Sequence, residues 1–155
     1  MLENIKFVTE QVFSKNKELF HIDIAKKVFN DRELRTSLKG IFKDEGLKMK
    51  RPHFKELITD EEGMYEGFSL SFDLKDNNIN VNQASVDVCW YWWAKEKIIV
   101  MSKMNNEIVS ETKNAYARED YINGGSDVFR NDVKGVIKAL RMSLEEKGTS
   151  EAIIP

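Results

Sequence analysis

Apolar residues recur at three- and four-residue spacing near both ends of the chain and at every second residue through its middle. The first period belongs to a helix with one buried stripe, the second to a half-buried strand. Ile5, Val8 and Val12 predict an amphipathic helix over 3–17, and Ile24, Ala25, Val28 and Phe29 a shorter one from Asp23 to Phe29. Asn30 stands three residues before Glu33, the spacing of a capping box. Leu34, Leu38, Ile41 and Phe42 then repeat at helical intervals until Gly46 offers a stop, so a helix is expected over about 32–45. After Arg51 and Pro52 the pattern breaks, and 53–63 reads as at most a helical turn around Phe54, Leu57 and Ile58.

From Met64 the period becomes two: Met64, Phe68, Leu70, Phe72 and Leu74 share one face, and Ser69, Ser71, Asp73 and Lys75 the other. Lys75 to Asn78 has a turn composition, after which Ile79 and Val81 resume the alternation. Further strands are expected at 84–93, 97–102 and, more weakly, 107–112. Connections this short exclude parallel crossovers and predict an antiparallel meander of four to five strands. Residues 113–125 read as irregular. Ser126 then opens a last helix over 126–147, with Phe129, Val133, Val136, Ile137, Leu140 and Leu144 as its stripe and Gly148 as its stop. The expected fold is α+β, with the N-terminal helices and the C-terminal helix packed on one face of the sheet. One domain over 1–148 is anticipated, comprising a helical part (1–58), a sheet (64–112) and the last helix, followed by a flexible tail at 149–155.

Composition narrows the function classes. At 155 residues, 41% apolar and 32% charged, the chain has the profile of a folded protein. Its longest apolar run, Val88 to Ala94, is far below the ~20 residues of a membrane-spanning helix. The first residues lack the features of a secretory signal, so a cytoplasmic location is expected. A single cysteine, Cys89, permits no internal disulfide.

The net charge of −2 conceals an asymmetry: residues 1–58 carry +4, residues 59–128 carry −7 and the remainder +1. An acidic centre presenting one face would attract a basic partner and repel nucleic acid.

Motifs for catalysis are scarce. His21 and His53 are isolated from each other and from Cys89, giving neither zinc spacing nor a redox pair, and Gly124-Gly125 lacks the context of a phosphate loop. No catalytic residue, metal or cofactor is therefore assigned. An enzyme using His53, Glu66 and Tyr91 has no spacing in its favour.

The most unusual stretch is Val86 to Trp93. As a strand it puts Val86, Val88, Trp90 and Trp92 on one face and Asp87, Cys89, Tyr91 and Trp93 on the other. With helices over the first face, Asp87, Tyr91 and Trp93, with Glu96 nearby, would form an exposed acidic and aromatic contact patch. The opposing reading is a central strand covered on both sides. The patch leads to the expectation of a non-catalytic module that binds a basic protein, a description met by a bacterial immunity or antitoxin protein that neutralises a nuclease toxin. The alternative is a nucleic-acid-binding regulator with a helix-turn-helix-like segment at 22–45, where Lys26, Arg32, Arg35 and Lys39 would meet phosphates; residues 26–55 hold ten basic and four acidic side chains. Sequence leaves the oligomeric state undetermined and implies no membrane partner.

Overall fold

The computed structural model describes residues 21–58, 65–75 and 83–153. The helix expected at 3–17 and the strand expected around Ile79 and Val81 lie outside them. Residues 21–29 form helix α1, which ends where the Asn30 and Asp31 amides donate to the Lys26 and Val28 carbonyls. Helix α2, Arg32–Asp44, follows directly. Its N-cap is Asp31, not Asn30: Asp31 Oδ1 accepts the Glu33 amide at 3.0 Å, while Asn30 Oδ1 receives Arg35 Nη2 at 3.3 Å. Glu33, the expected second half of the box, instead accepts the Asn123 amide at 3.1 Å and ties α2 to the distant loop. Leu34, Leu38, Ile41 and Phe42 form the buried stripe, and the chain leaves α2 through Gly46 at φ 71°, where an L side chain would be strained.

Five strands follow: β1 (His53–Ile58), β2 (Tyr65–Asp73), β3 (Ala84–Tyr91), β4 (Ile99–Met104) and β5 (Glu107–Glu111). They lie side by side in chain order, each antiparallel to its neighbour, as the short connections require. Strand β1 corrects the helical turn expected at 53–63, and the helical part of the chain therefore ends before residue 53. Phe54 from β1 stacks on Phe68 at 5.0 Å and meets Phe29 edge-on at 5.8 Å, which fastens this edge strand to the core although Phe54 is 38% exposed. Strand β4 begins and ends two residues later than expected, because the turn after β3 is wider than Ala94-Lys95-Glu96.

A short helix α3 (Arg118–Tyr121) and a single 3-10 turn lead to α4 (Asp127–Ile153). Ser126 caps α4, its Oγ accepting the Phe129 amide at 3.2 Å. The helix continues past the expected stop at Gly148.

The core lies between one sheet face and the helices. Phe68, Leu70, Phe72, Val86, Val88, Trp90 and Val100 pack against Leu34, Leu38 and Ile41 of α2 and Phe129, Val133, Ile137 and Leu140 of α4. This is the α+β arrangement expected from the periodicities. Two buried hydroxyls inside it are paired: Ser37 Oγ donates to the Tyr121 carbonyl at 2.8 Å and Ser102 Oγ to the Val136 carbonyl at 3.1 Å. Asp132 on α4 clamps the irregular segment after β5 by accepting the Lys113 and Asn114 amides and the Tyr116 hydroxyl. Among the described residues no helix is long and apolar enough to cross a membrane.

Candidate interaction surface

Strand β3 occupies the middle of the sheet, so its alternate residues point to the helices and to the opposite face. Register assembles that second face. Lys55 stands beside Ser69 and Cys89, His53 beside Ser71, Asp87 and Met101, and Asp73 beside Ser85 and Lys103. Small side chains thus line the centre and long ones the margins.

Asp87 sits at that centre and is fully buried. Its Oδ1 accepts the Ser71 hydroxyl at 2.6 Å, and its Oδ2 faces Lys55 Nζ at 3.4 Å and Lys103 Nζ at 3.3 Å. Burial pushes the carboxyl's pKa upward, but the Ser71 hydrogen bond and the two ammonium groups outweigh it, and the group titrates below its ordinary 3.8. Asp87 is therefore a neutralised internal charge, which corrects its placement in an exposed contact patch. From Ala84 to Trp90 the alternative of a strand buried on both faces is the one observed, with Ser85 the partly exposed exception.

Cys89 shares this face and is also buried; desolvation, with Asp87 adding to it, pushes its thiol to about 12. Because the thiolate is the reactive species, the native protein should react with iodoacetamide at pH 8 at least a hundredfold more slowly than the urea-unfolded chain. Rapid native labelling, read by mass spectrometry, would contradict the buried placement.

Exposure begins where β3 ends. Trp92 and Trp93 lie beyond its last residue and are 44% and 56% exposed, so Trp92 does not continue the core face of Trp90. Tyr91 is half-buried and stacks on Trp93 at 4.9 Å, and Trp92 meets Trp93 edge-on at 5.6 Å. The turn that presents them is fixed locally. The Trp92 amide donates to the Glu66 carbonyl at 3.1 Å, the Ala94 amide to the Tyr91 carbonyl at 2.9 Å and the Lys97 amide to the Ala94 carbonyl at 3.0 Å. The buried Trp90 indole N–H donates to the Lys95 carbonyl, and Lys95 itself takes φ 55°. Glu96 is exposed on the same turn, between Lys95 and Lys97. Burial first, then the charges of Cys89, Glu66 and Glu111, raise the Tyr91 hydroxyl to about 12.

Of the residues singled out in the sequence, the structure brings Tyr91, Trp93 and Glu96 together at one end of the sheet and withdraws Asp87 beneath it. Trp92 joins the group unexpectedly; its position beside the turn composition of Ala94-Lys95-Glu96 was the available signal. His53 lies toward the other end of the sheet, paired with Asp73 at 3.1 Å, and so is separated from Tyr91 and Glu66. Among the residues of the nucleic-acid alternative, Lys26, Arg32 and Lys39 are exposed, whereas Arg35 turns inward and donates Nε to the Phe29 carbonyl at 2.9 Å. Arg35 closes the turn between α1 and α2 and does not join the other three in one cationic row. Among the described residues there is no cluster of three His, Cys, Asp or Glu side chains suited to a metal ion.

No protein-family model matches this chain, and neither the curated proteins nor the solved structures contain a significant match to it.

Proposed function

We propose that this chain is a non-catalytic protein-binding module whose contact surface is the aromatic end of the sheet. The observation that supports it is the pair Trp92 and Trp93, large rings left 44% and 56% exposed on a turn held by backbone hydrogen bonds. Aromatic side chains supply much of the energy at protein interfaces because they bury large areas at little cost in side-chain freedom. A fixed turn lowers the ordering cost of association further. Glu96 on the turn and Glu66 beside it are the acidic groups at this end that support a basic partner, although Lys95 and Lys97 flank Glu96 on the same turn. A bacterial immunity or antitoxin protein that neutralises a basic nuclease toxin is the functional class that fits this surface.

The test is affinity capture from the native host with wild-type protein and with Trp93→Ala. One stoichiometric basic protein is expected with the wild type, with about thirtyfold weaker retention for the variant, the effect of losing an interfacial anchor worth about 2 kcal/mol. If that protein is a nuclease, equimolar wild-type chain should suppress its cleavage of nucleic acid. Equal retention by the two proteins would reject this surface.

A further inference from the structure

At the end of the sheet opposite Trp92 and Trp93 lies a cleft of about 610 Å³ between the C-terminal half of α2 and the extended segment that follows it. Two walls derive from two periodicities. On α2, Lys39 and Lys43 are exposed one turn apart and flank the buried stripe of Leu38 and Phe42. Beyond Gly46 the chain alternates, with Leu47 and Met49 partly buried and Lys48 and Lys50 exposed, before Arg51. Backbone pairing keeps this wall in place: the Lys50 amide donates to the Asp73 carbonyl and the Lys75 amide to the Lys48 carbonyl, both at 2.7 Å, around the bridge of Met49 with Leu74. The floor is apolar, formed by Leu47, Met49 and Pro52 over Phe42 and Phe72.

Five cations, Lys39, Lys43, Lys48, Lys50 and Arg51, therefore border an apolar floor, and among the described residues no carboxylate lines the cleft. None of the five forms an ion pair among the described residues. We propose that this cleft binds an acidic segment of a partner protein in which Asp and Glu alternate with apolar side chains. Charge complementarity selects the acids, and the floor selects the apolar residues between them. A single nucleic-acid strand fits less well, because its bases need open aromatic faces, while Phe42 and Phe72 are only 4% and 1% exposed. A fatty acid would bring one carboxylate to five cations. The proposal does not depend on the function assigned to Trp92 and Trp93, since the two surfaces share no residue.

The probe is a fluorescein-labelled peptide of two repeats of Glu-Glu-Leu-Asp-Asp-Phe, titrated with the full chain and followed by anisotropy. Saturable binding is expected to fall about tenfold in the double variant Lys43→Glu/Lys50→Glu, both exposed positions, and to persist in Lys138→Glu on α4. A peptide with glycine at the Leu and Phe positions should bind at least fivefold more weakly. The proposal is overturned by absence of saturable binding, by equal affinity of the double variant, or by equal affinity for the glycine peptide, which would mean charge attraction alone. Tighter binding of oligothymidylate at the same lysines would replace the acidic segment with nucleic acid. Circular dichroism of the double variant separates loss of the site from loss of the fold.

Discussion

Asp87→Ala is expected to destabilise the protein by about 3 kcal/mol or more, because breaking a buried ion pair from one side leaves the remaining charges without compensation. The carboxylate is wholly buried, hydrogen-bonded to Ser71 and faced by two ammonium groups. Removing it leaves Lys55 and Lys103 directed at the same empty position. Lys55, 39% exposed, can swing toward water; Lys103, at 20%, is less free, so the penalty falls mainly on β4. Asp87→Asn keeps the volume and an acceptor for Ser71 and should lose less. Urea denaturation gives both values.

The same group predicts an acid dependence. Its folded pKa lies below the 3.8 of the free side chain, so its stabilising contribution is fully present above about pH 5 and is lost as pH falls through the folded value. The stability difference between wild type and Asp87→Asn should therefore be constant from pH 5 to 7 and shrink below pH 4. A difference that grew on acidification would mean that the carboxyl is not held ionised.

Gly67→Ala is the second large effect. Gly67 pairs with Tyr91 across β2 and β3, and a Cβ there would collide with the Trp90 carbonyl oxygen and come within 2.9 Å of the Trp90 carbonyl carbon and Tyr91 Cα. All three are backbone atoms, so relief requires the two central strands to separate. A loss of about 3 kcal/mol is expected, at the upper end of overpacking effects, with faster hydrogen exchange at the Trp92 amide that donates to Glu66. Gly135→Ala is the counterpart of opposite sign: that site on α4 is exposed with nothing within 4 Å, and alanine should stabilise by about 0.5–1 kcal/mol. Calorimetry on both would show whether the close approach or the mere loss of a glycine matters. Near-neutral behaviour of Gly67→Ala would argue against the pairing of β2 with β3 in this register.

What could be read in advance depended on how directly each element advertises its buried face. Helix α2 was legible because five apolar or small positions repeat on one side, although its cap shifted by one residue once Arg35 engaged Asn30 and left Asp31 to hold Glu33. Strand β1 was hidden: at the sheet edge its residues are exposed or only partly buried, so Phe54, Leu57 and Ile58 imitate a helical turn. Asp87 misled for a different reason. Its partners Ser71, Lys55 and Lys103 come from three other strands, and no local pattern signals that they converge. At the aromatic end, Tyr91, Trp93 and Glu96 were visible as composition, but the exposure of Trp92 followed from where β3 stops. The cation-bordered cleft had left its trace in the excess of basic residues over 26–55, though its apolar floor required Phe72 from a strand far along the chain.

The meander is built from adjacent hairpins, a topology in which neighbouring strands could slide past one another by a residue. Asp87 works against such slippage. Moving β3 by one position would turn its carboxylate toward α4 and the apolar packing around Val133 and Ile137, with neither lysine in reach, while Val86 or Val88 would take the place between the ammonium groups. Besides its contribution to stability, such a residue serves as an index mark, making the correct alignment of the sheet the one arrangement in which its charge is answered.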